Sequence, residues 1–234
     1  MRFASIALFA SFAVMAQLKM CTAAEQIVAI DVLLEPNAEM VKRAVALNAR
    51  MGKDYPSGYR LGKLQVPHVS LVQRYVRQQD LPAIHDAVAK VCVRAKPRDL
   101  KLQATGIASS PWNGLAITSI AVARSPELDQ FQRDIVKAVE PFAVSGGTAK
   151  AFTTNNELPR IEKDIVQYVE TFVPKASGKN YHPHVTIGAA PGSVVDRLKA
   201  EPFKKFSFKP VGVAAYHLGS FGTAQKKLWE WKGE

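Results

Sequence analysis

The sequence predicts an α+β fold built mainly from antiparallel sheets. Segments in which apolar and polar residues alternate, as they do in strands, are interleaved along the 234 residues with segments of helical periodicity. Short turns rich in Gly, Asn and Pro separate neighbouring strand segments, which is typical of β-hairpins. Frequent hairpins favour antiparallel sheets over a parallel, doubly wound sheet. The chain also lacks the glycine-rich phosphate loops GxGxxG and GxxxxGKS.

Strands and helices alternate in the first half of the chain. In order, the predicted elements are a strand over 26–34, a helix from Pro36 to about 52, a strand over 65–76, a helix over 80–93 and a strand over 100–107. Residues 52–64 contain three Gly and one Pro and are predicted to form a loop. Cys92 falls on the apolar face of its helix, with Ile84 and Val88, so we expect a buried and inert thiol.

Strands dominate the second half. In order, the predicted elements are a strand over 115–123, a helix from Ser125 to Pro141, a helix over 157–173, a strand near 183–188, a short helix over 194–199 and strands over 203–208, 211–218 and 226–231. The residues of 109–114 are predicted to be a hairpin turn. Ser125, which precedes Pro126, is expected to cap its helix.

Composition and charge indicate the class of partner. With 47% apolar and 22% charged residues, the chain resembles an ordinary globular protein of one large domain or two lobes with a shared core. A net charge of +11 favours anionic partners such as phosphates and nucleic acid. No run of five or six basic residues is present, so an arm that binds duplex DNA is not expected. We expect a monomer.

The first 24 residues have the pattern of a secretory signal peptide. A positive start at Met1-Arg2 is followed by an apolar run over 3–16 and by the small residues of 22–24. We expect cleavage after Ala24, with cleavage after Ala16 as an alternative, leaving one domain over 25–234 in the periplasm or outside the cell. The run is short for a membrane span, so no stable membrane association is expected after cleavage; an uncleaved anchor and lipidation of Cys21 remain alternatives.

A five-residue pattern occurs twice, 116 residues apart: Pro67-His68-Val69-Ser70-Leu71 and Pro183-His184-Val185-Thr186-Ile187. Both copies have the alternation of strands, in which residues two apart share a face. His68 is therefore expected beside Ser70, and His184 beside Thr186. Two such strands facing each other would bring together a pair of acid–base groups and a pair of hydroxyls. The alternative is that the copies are merely two similar core strands.

The paired His-x-Ser and His-x-Thr motifs resemble those of the 2H phosphoesterase superfamily, and most of all bacterial proteins described as 2′-5′ RNA ligase-like or cyclic phosphodiesterases. The string YHPHVTIG over 181–188 is the part most similar to that family. The resemblance implies two pseudo-symmetric lobes whose curved antiparallel sheets, with helices outside, enclose a catalytic cleft. It also implies that this cleft is lined by His68, Ser70, His184 and Thr186.

The chemistry of these side chains suits hydrolysis of a 2′,3′-cyclic phosphate on a nucleotide or an RNA end. One His would activate water and the other would protonate the departing ribose oxygen, but the sequence does not assign the two roles. Ser70 and Thr186 would donate hydrogen bonds to the phosphoryl oxygens. Neither a metal ion nor a cofactor is required. The alternatives are a 2′-5′ RNA ligase that uses the same residues, a nucleotide- or RNA-binding protein without turnover, and a hydrolase of another phosphoester.

Other residues carry weaker predictions. His182 shares parity with His184, so a zinc site with a distant third ligand is an alternative. Arg74 shares parity with His68 and is expected either to reach the phosphate or to be an exposed charge at the strand end. Tyr75 and Tyr181 are expected either to stack on a base or to lie in the core or at its rim. No role in the site is expected for the other two histidines, His85 and His217.

Overall fold

The computed structural model describes residues 25–233. The strands are β1 (Ile27–Pro36), β2 (Val69–Arg77), β3 (Leu102–Trp112), β4 (Leu115–Val122), β5 (Ala143–Val144), β6 (His184–Ala190), β7 (Phe206–Phe208), β8 (Pro210–Leu218) and β9 (Ala224–Trp231). The helices are α1 (Ala38–Asp54), α2 (Leu81–Ala95), α3 (Pro126–Val139), α4 (Lys163–Ala176) and α5 (Gly192–Ala200). The predicted signal peptide over 1–24, with Cys21, lies outside the described residues.

The strands form two antiparallel sheets, so the predicted α+β class is confirmed. The first sheet has the order β5-β2-β1-β8-β9 and the second the order β6-β4-β3-β7. Every pairing within them is antiparallel. The sheets do not correspond to the two halves of the sequence, because β8 and β9 return to β1. Each sheet nevertheless contains one copy of the repeated pattern, in β2 and in β6.

The helices cover both sheets and share a core with them. α1 lies against β6, α5 against β3 and β4, and α3 and α4 against β2, while α2 packs on α3. Buried apolar residues of both sheets and of all five helices form the main core cluster. Cys92 belongs to it, and burial raises the pKa of its thiol to about 12, in agreement with an inert thiol. Between residues 25 and 233, no helix is long and apolar enough to cross a membrane.

Strand β1 is buried on both faces. Val28, Ile30, Val32 and Leu34 belong to the main core, and the alternate residues Ala29 and Leu33 belong to two smaller apolar clusters on the other face. Between Ala29 and Leu33 on that second face lies Asp31, whose side chain is fully buried. A carboxyl group in this position is costly unless hydrogen bonds satisfy it. Its partners are described with the site below.

Several predicted boundaries need correction. β3 continues to Trp112, so residues 109–112 belong to the strand, and the hairpin turn is the pair Asn113 (φ 48°) and Gly114 (φ 74°). Positive φ at both positions is the type I′ geometry that suits the twist of two paired strands. The helix predicted over 157–173 begins only at Lys163. The preceding residues are held in an irregular path, in which Asn155 accepts from the backbone amides of 157 and 158.

The predicted cap of α3 is confirmed. Ser125 Oγ accepts a hydrogen bond from the amide of Leu128 at 3.2 Å, and Pro126 occupies the first helical position. α1 begins in a similar way, with Asn37 Oδ1 accepting from the amide of Met40 at 3.3 Å. A side-chain oxygen at this position satisfies one of the amides that a helix leaves free at its start. Local sequence therefore fixes where these two helices begin.

Candidate active site

The two copies of the pattern, which we call the first pentad (67–71) and the second pentad (183–187), meet between the sheets. The hydroxyl of Tyr181, just before the second pentad, donates to the carbonyl oxygen of Ser70 in the first at 3.1 Å. His68 is near enough that its charge lowers the pKa of His184. His184 opens β6, whereas His68 lies one residue before β2, so its predicted place within the strand is wrong by one residue.

Both imidazoles are fixed in the same way. Nδ1 of His68 lies 2.7 Å from the carbonyl oxygen of Val66, and Nδ1 of His184 lies 2.7 Å from the carbonyl oxygen of His182. A carbonyl oxygen only accepts, so each Nδ1 carries a hydrogen and donates it. In the neutral ring, Nε2 is then the nitrogen without a hydrogen. Each His therefore has a defined tautomer in which Nε2 can take up or give a proton.

A β-bulge follows the hydroxyl residue in each pentad. Ser70 pairs with Leu33 and Val72 with Val32, which leaves Leu71 as the extra residue of β2. In the same way, Thr186 pairs with Ser119 and Gly188 with Thr118, so Ile187 is the extra residue of β6. Bulges bend a strand and change the direction of the side chains next to them, and they are common beside active sites. The fifth position of each pentad thus has the same local geometry.

The two hydroxyls differ in their partners. Ser70 Oγ donates to Oδ2 of Asp31 at 2.6 Å. For Thr186 Oγ1, the part of the chain from 25 to 233 supplies no hydrogen-bond partner, and the residue is half-buried. Thr186 is therefore free to donate to a bound anion, whereas the hydrogen of Ser70 is already held by a carboxyl group.

Asp31 joins the first pentad to β1. Besides Ser70, its Oδ2 accepts from Nε2 of Gln73 at 2.9 Å and lies 3.5 Å from Nε2 of His68. Among the described residues, its Oδ1 has no hydrogen-bond partner. Burial raises the pKa of Asp31 to about 7, and the hydrogen bonds from Ser70 and Gln73 act in the opposite direction. The group therefore exchanges its proton near neutral pH.

Burial also lowers the pKa of both histidines, because it disfavours the charged ring. The hydrogen bonds to Val66 and His182 partly offset this effect. For His184, the neighbouring His68 and His182 lower the pKa further, since two positive charges repel. Neutral imidazole is thus the favoured form of His184 at neutral pH, as a general base requires.

Asn48 of α1 holds the second bulge and the loop that leads to the first pentad. Its Nδ2 donates to the carbonyl oxygens of Ile187 at 2.9 Å and Tyr59 at 3.0 Å, and its Oδ1 accepts from the amide of Leu61 at 2.9 Å. The side chain is buried, and Gly188 leaves room for it, since a Cβ there would lie 3.3 Å from Nδ2. One amide thereby links β6 to the residues that precede His68.

The structure corrects the prediction for Arg74. The bulge at Leu71 reverses the alternation of β2, so Gln73 rather than Arg74 shares a face with Ser70 and bonds Asp31. Arg74 pairs with Ile30, which faces the main core, and its charge is influenced by Glu140 and Glu170. Arg74 therefore lies on the face of β2 opposite Ser70.

Neither tyrosine considered for base stacking is available. Tyr75 and Tyr181 are 1% and 3% exposed, and their hydroxyls donate to the backbone at 166 and 70. Both are core residues that fix the surroundings of the pentads. His85 stacks on Trp229, and Nε2 of His217 lies 2.8 Å from the carbonyl oxygen of Ala151, so neither reaches the site. Asp31, Gln73 and Asn48 were not identified from the sequence.

His182 is exposed, and in the site it contributes its carbonyl oxygen to His184. The alternative of a zinc site needs further ligands around these two rings. Across residues 25–233, no group of three or more His, Cys, Asp or Glu side chains is arranged to hold a metal ion. The polar groups gathered around the pentads are imidazoles, hydroxyls and one buried carboxyl group, a set suited to proton transfer and to hydrogen bonding of an anion.

Comparison with known proteins gives a family match. The profile of the 2′-5′ RNA ligase superfamily matches residues 42–208, more than two thirds of the chain and inclusive of both pentads. Curated protein sequences gave no match. Among solved structures, the chain is similar to TT0787 of Thermus thermophilus, with 13% identity, 88% of this chain and 100% of that chain covered, and a TM-score of 0.49. It is also similar to E. coli LigT in apo form (12% identity, 88% and 97% covered, TM-score 0.42) and in complex with 3′-AMP (12%, 88% and 97%, TM-score 0.39).

Proposed function

Because the chain belongs to the 2′-5′ RNA ligase superfamily, we propose that it is a metal-independent phosphodiesterase that hydrolyses the 2′,3′-cyclic phosphates of nucleotides or RNA ends. His68 and His184 are its acid and base, and Ser70 and Thr186 complete the site. The substrate is an anion, which the net charge of +11 attracts. Ligation would use the same side chains, so product analysis separates the two reactions.

The proposal rests on one observation: the two imidazoles make the same hydrogen bond and are held in the same tautomer. Each donates Nδ1–H to a carbonyl oxygen two residues earlier, at 2.7 Å, and each keeps Nε2 for proton transfer. Two histidines prepared in this way, at the start of two strands that meet, fit a reaction that needs a base and an acid at one phosphorus atom. A binding protein without turnover would not need a defined tautomer at both positions.

In the reaction one imidazole gains a proton and the other loses one, so the number of protons on the two rings together does not change. One His accepts a proton at Nε2 from water while the water oxygen bonds to phosphorus. The bond between phosphorus and one ribose oxygen breaks, and the other His gives its Nε2 proton to that oxygen. The product is a phosphomonoester with a free neighbouring hydroxyl, and a proton exchange with solvent restores the enzyme. Negative charge that grows on the phosphoryl oxygens is stabilised by the hydroxyl of Thr186.

The proposed location is the periplasm or the exterior of the cell. The pattern of the first 24 residues supports export, and removal of those residues deletes two basic side chains and no acidic one, so the protein stays strongly basic. Its substrates would then be cyclic phosphates that occur outside the cytoplasm. This location favours small nucleotides and RNA fragments over intact cellular RNA.

The test is an assay of purified protein on the four 2′,3′-cyclic nucleotides and on a short RNA that ends in a 2′,3′-cyclic phosphate. We expect a single phosphomonoester isomer from each, identified by chromatography, and a rate unaffected by EDTA. The variants His68→Ala and His184→Ala, shown to be folded by circular dichroism, are the controls. Activity that EDTA abolishes and zinc restores would contradict the proposal and make His182 a candidate ligand.

The same assay separates the alternatives. A second RNA with a free 5′-hydroxyl is included, so that joining of the two strands through a 2′-5′ bond would appear as a longer product. Joining without hydrolysis would make the protein a ligase. Binding of the cyclic nucleotide, measured by calorimetry, without any turnover would make it a binding protein.

A further inference from the structure

The two pentads differ in one respect, although their backbones and imidazoles match. Within residues 25–233, only the first pentad lies beside a carboxyl group, that of Asp31. Asp31 Oδ2 lies 3.5 Å from Nε2 of His68, the nitrogen that transfers protons in the proposed reaction. Burial is the largest influence on the pKa of His184 and lowers it, the charges of His68 and His182 lower it further, and the hydrogen bond to the carbonyl oxygen of His182 acts in the opposite direction. Asp31 lies before residues 42–208, the range of the family match, so nothing in that match assigns it a role.

We propose that Asp31 is a positioning residue that holds a proton on the His68 side of the site, which makes His68 the general acid and His184 the general base. This inference rests on the proposed function for the identity of the reaction. Asp31 does not touch the substrate. Its negative charge favours the protonated ring of His68. Its Oδ2 also accepts a hydrogen bond from the hydroxyl of Ser70 at 2.6 Å.

The burial of the pair explains why it keeps one proton. Asp31 is fully buried and the side chain of His68 is 12% exposed, so a charge on one of the two groups without the opposite charge on the other would be poorly solvated. The arrangement with one shared proton, on Oδ2 or on Nε2, is favoured over the arrangement with none. The raised pKa of Asp31, about 7, agrees with this. A ring that keeps access to a proton at neutral pH can protonate a departing oxygen.

The other groups around Asp31 do not take up this proton, so it is shared by Asp31 and His68 alone. Gln73 and Ser70 donate to Oδ2, and neither loses a proton near neutral pH. Tyr168 of α4 and Tyr181 also lie near the carboxyl group, and burial, together with the negative charge of Asp31, raises the pKa of both phenols. These tyrosines therefore remain neutral. Among the described residues, the basic side chain that lies within 4 Å of the Asp31 carboxyl group is that of His68.

The first test is the pH profile of hydrolysis by Asp31→Asn, which has the same shape without the charge. His68 loses an anionic neighbour, its proton is released at lower pH, and we expect the alkaline limb to move down by about one pH unit or more. The acid limb, which reports the base His184, should move less and to higher pH, because a His68 ring that is less often charged lowers the pKa of His184 less. Glu35→Gln is the matched control, a carboxylate of the same strand that accepts from Tyr216 at 2.9 Å. It should move neither limb.

A second variant covers the case in which Asp31→Asn does not fold. The hydrogen bond from Ser70 lowers the pKa of Asp31. Ser70→Ala should therefore raise it, and the alkaline limb should move to higher pH, opposite to the shift in Asp31→Asn. An unchanged alkaline limb in every folded variant would overturn the inference.

The second test asks which histidine is the acid. An aryl phosphodiester with a nitrophenolate leaving group needs little help from an acid, because the phenolate is stable without a proton. On this substrate His68→Ala should lose much less activity than on a cyclic nucleotide, whereas His184→Ala should lose about as much on both. The reverse pattern would assign the acid to His184 and overturn the proposal.

The third test does not depend on turnover. The pKa of the His68 imidazole, followed by NMR in the free protein, should fall by about one unit in Asp31→Asn, while that of His184 moves less and in the opposite direction. If no cyclic phosphate is hydrolysed, the proposed function fails, and this titration still decides whether Asp31 and His68 share a proton. A His68 pKa that is the same in both proteins would contradict the pairing.

Discussion

The side-chain amide of Asn48 and the carbonyl oxygen of Ile187 are joined by a 2.9 Å hydrogen bond across 139 residues of sequence. The same amide bonds the carbonyl of Tyr59 and the amide of Leu61, in the loop that leads to the first pentad. Asn48→Ala would remove this partner from two buried carbonyl oxygens and from the part-buried amide of Leu61, and each buried group left unpaired costs about 1–3 kcal/mol. We expect the free energy of unfolding in urea to fall by at least about 2 kcal/mol.

The matched control for this prediction is Asn180→Ala. Asn180 is half-buried, and its amide makes one solvent-exposed hydrogen bond, to the carbonyl of Pro174 at 2.9 Å. Water can replace that bond, so the change in the free energy of unfolding should stay within about 0.5 kcal/mol. Equal effects of the two substitutions would show that Asn48 contributes no more than a surface amide.

The raised pKa of Asp31 predicts how stability depends on pH. Its pKa in the folded protein is about 7, against an ordinary value of 3.8. Between these values the folded chain binds a proton that the unfolded chain does not, so the contribution of Asp31 to stability is complete at low pH and is lost as the pH rises through about 7. From about pH 4 to pH 8, the free energy of unfolding of the wild type should fall relative to Asp31→Asn by roughly 4 kcal/mol.

The measurement is urea denaturation of both proteins at a series of pH values. The comparison with the variant is needed because His68, whose pKa is lowered by burial, changes the stability in the opposite direction. A difference between the two proteins that does not change with pH would mean that Asp31 is charged at all the pH values tested.

Much of the local structure was predictable because short-range chemistry determines it. Ser125 caps α3, Asn113-Gly114 closes a hairpin, and the two pentads begin or precede strands, all from signals within a few residues. The order of the strands was not predictable in this way, since β8 pairs with β1 across most of the chain. Such pairings depend on the burial of whole faces and leave no local signal.

The site was predictable to the extent that strand alternation holds. Alternation placed each His beside its hydroxyl, but it failed beyond Leu71, where the bulge brings Gln73 and not Arg74 to the face of Ser70. Asp31 did leave a signal, as the single acidic residue in the apolar run QIVAIDVLL. A buried carboxyl group needs partners. The sequence did not show which they were, because they lie 39 and 42 residues away.

Export predicts the mass of the mature protein. The positive start, the apolar run over 3–16 and the small residues of 22–24 together predict cleavage after Ala24. Protein recovered from the periplasm of an export-competent bacterium should therefore begin at Glu25, as measured by intact mass. Recovery of the full chain with Met1 from the cytoplasm would contradict the proposed location. A mass that corresponds to cleavage after Ala16 would agree with export but would place the cleavage site at Ala16 instead of Ala24.

The last prediction concerns the coupling of the two pentads. If His68 and His184 act on one phosphorus atom, each must come within about 3 Å of a reacting oxygen. Replacement of either by Ala should lower kcat on a 2′,3′-cyclic nucleotide roughly 10²–10⁴-fold, the usual contribution of a positioned acid or base. The double variant should lose clearly less than the product of the single losses, because residues that act as a unit are not additive.

The comparison requires that the variants stay folded. Nδ1 of each ring bonds the carbonyl of the residue just before its own pentad, so loss of either ring removes one local hydrogen bond and should cost about 1 kcal/mol of stability. Circular dichroism and urea denaturation measure this cost separately from kcat. Thr186→Ala should lower kcat less than either His substitution, since water can replace one donor to the phosphate. If a folded His68→Ala or His184→Ala protein keeps nearly full activity, the two-histidine mechanism is wrong, and the pentads are two similar core strands.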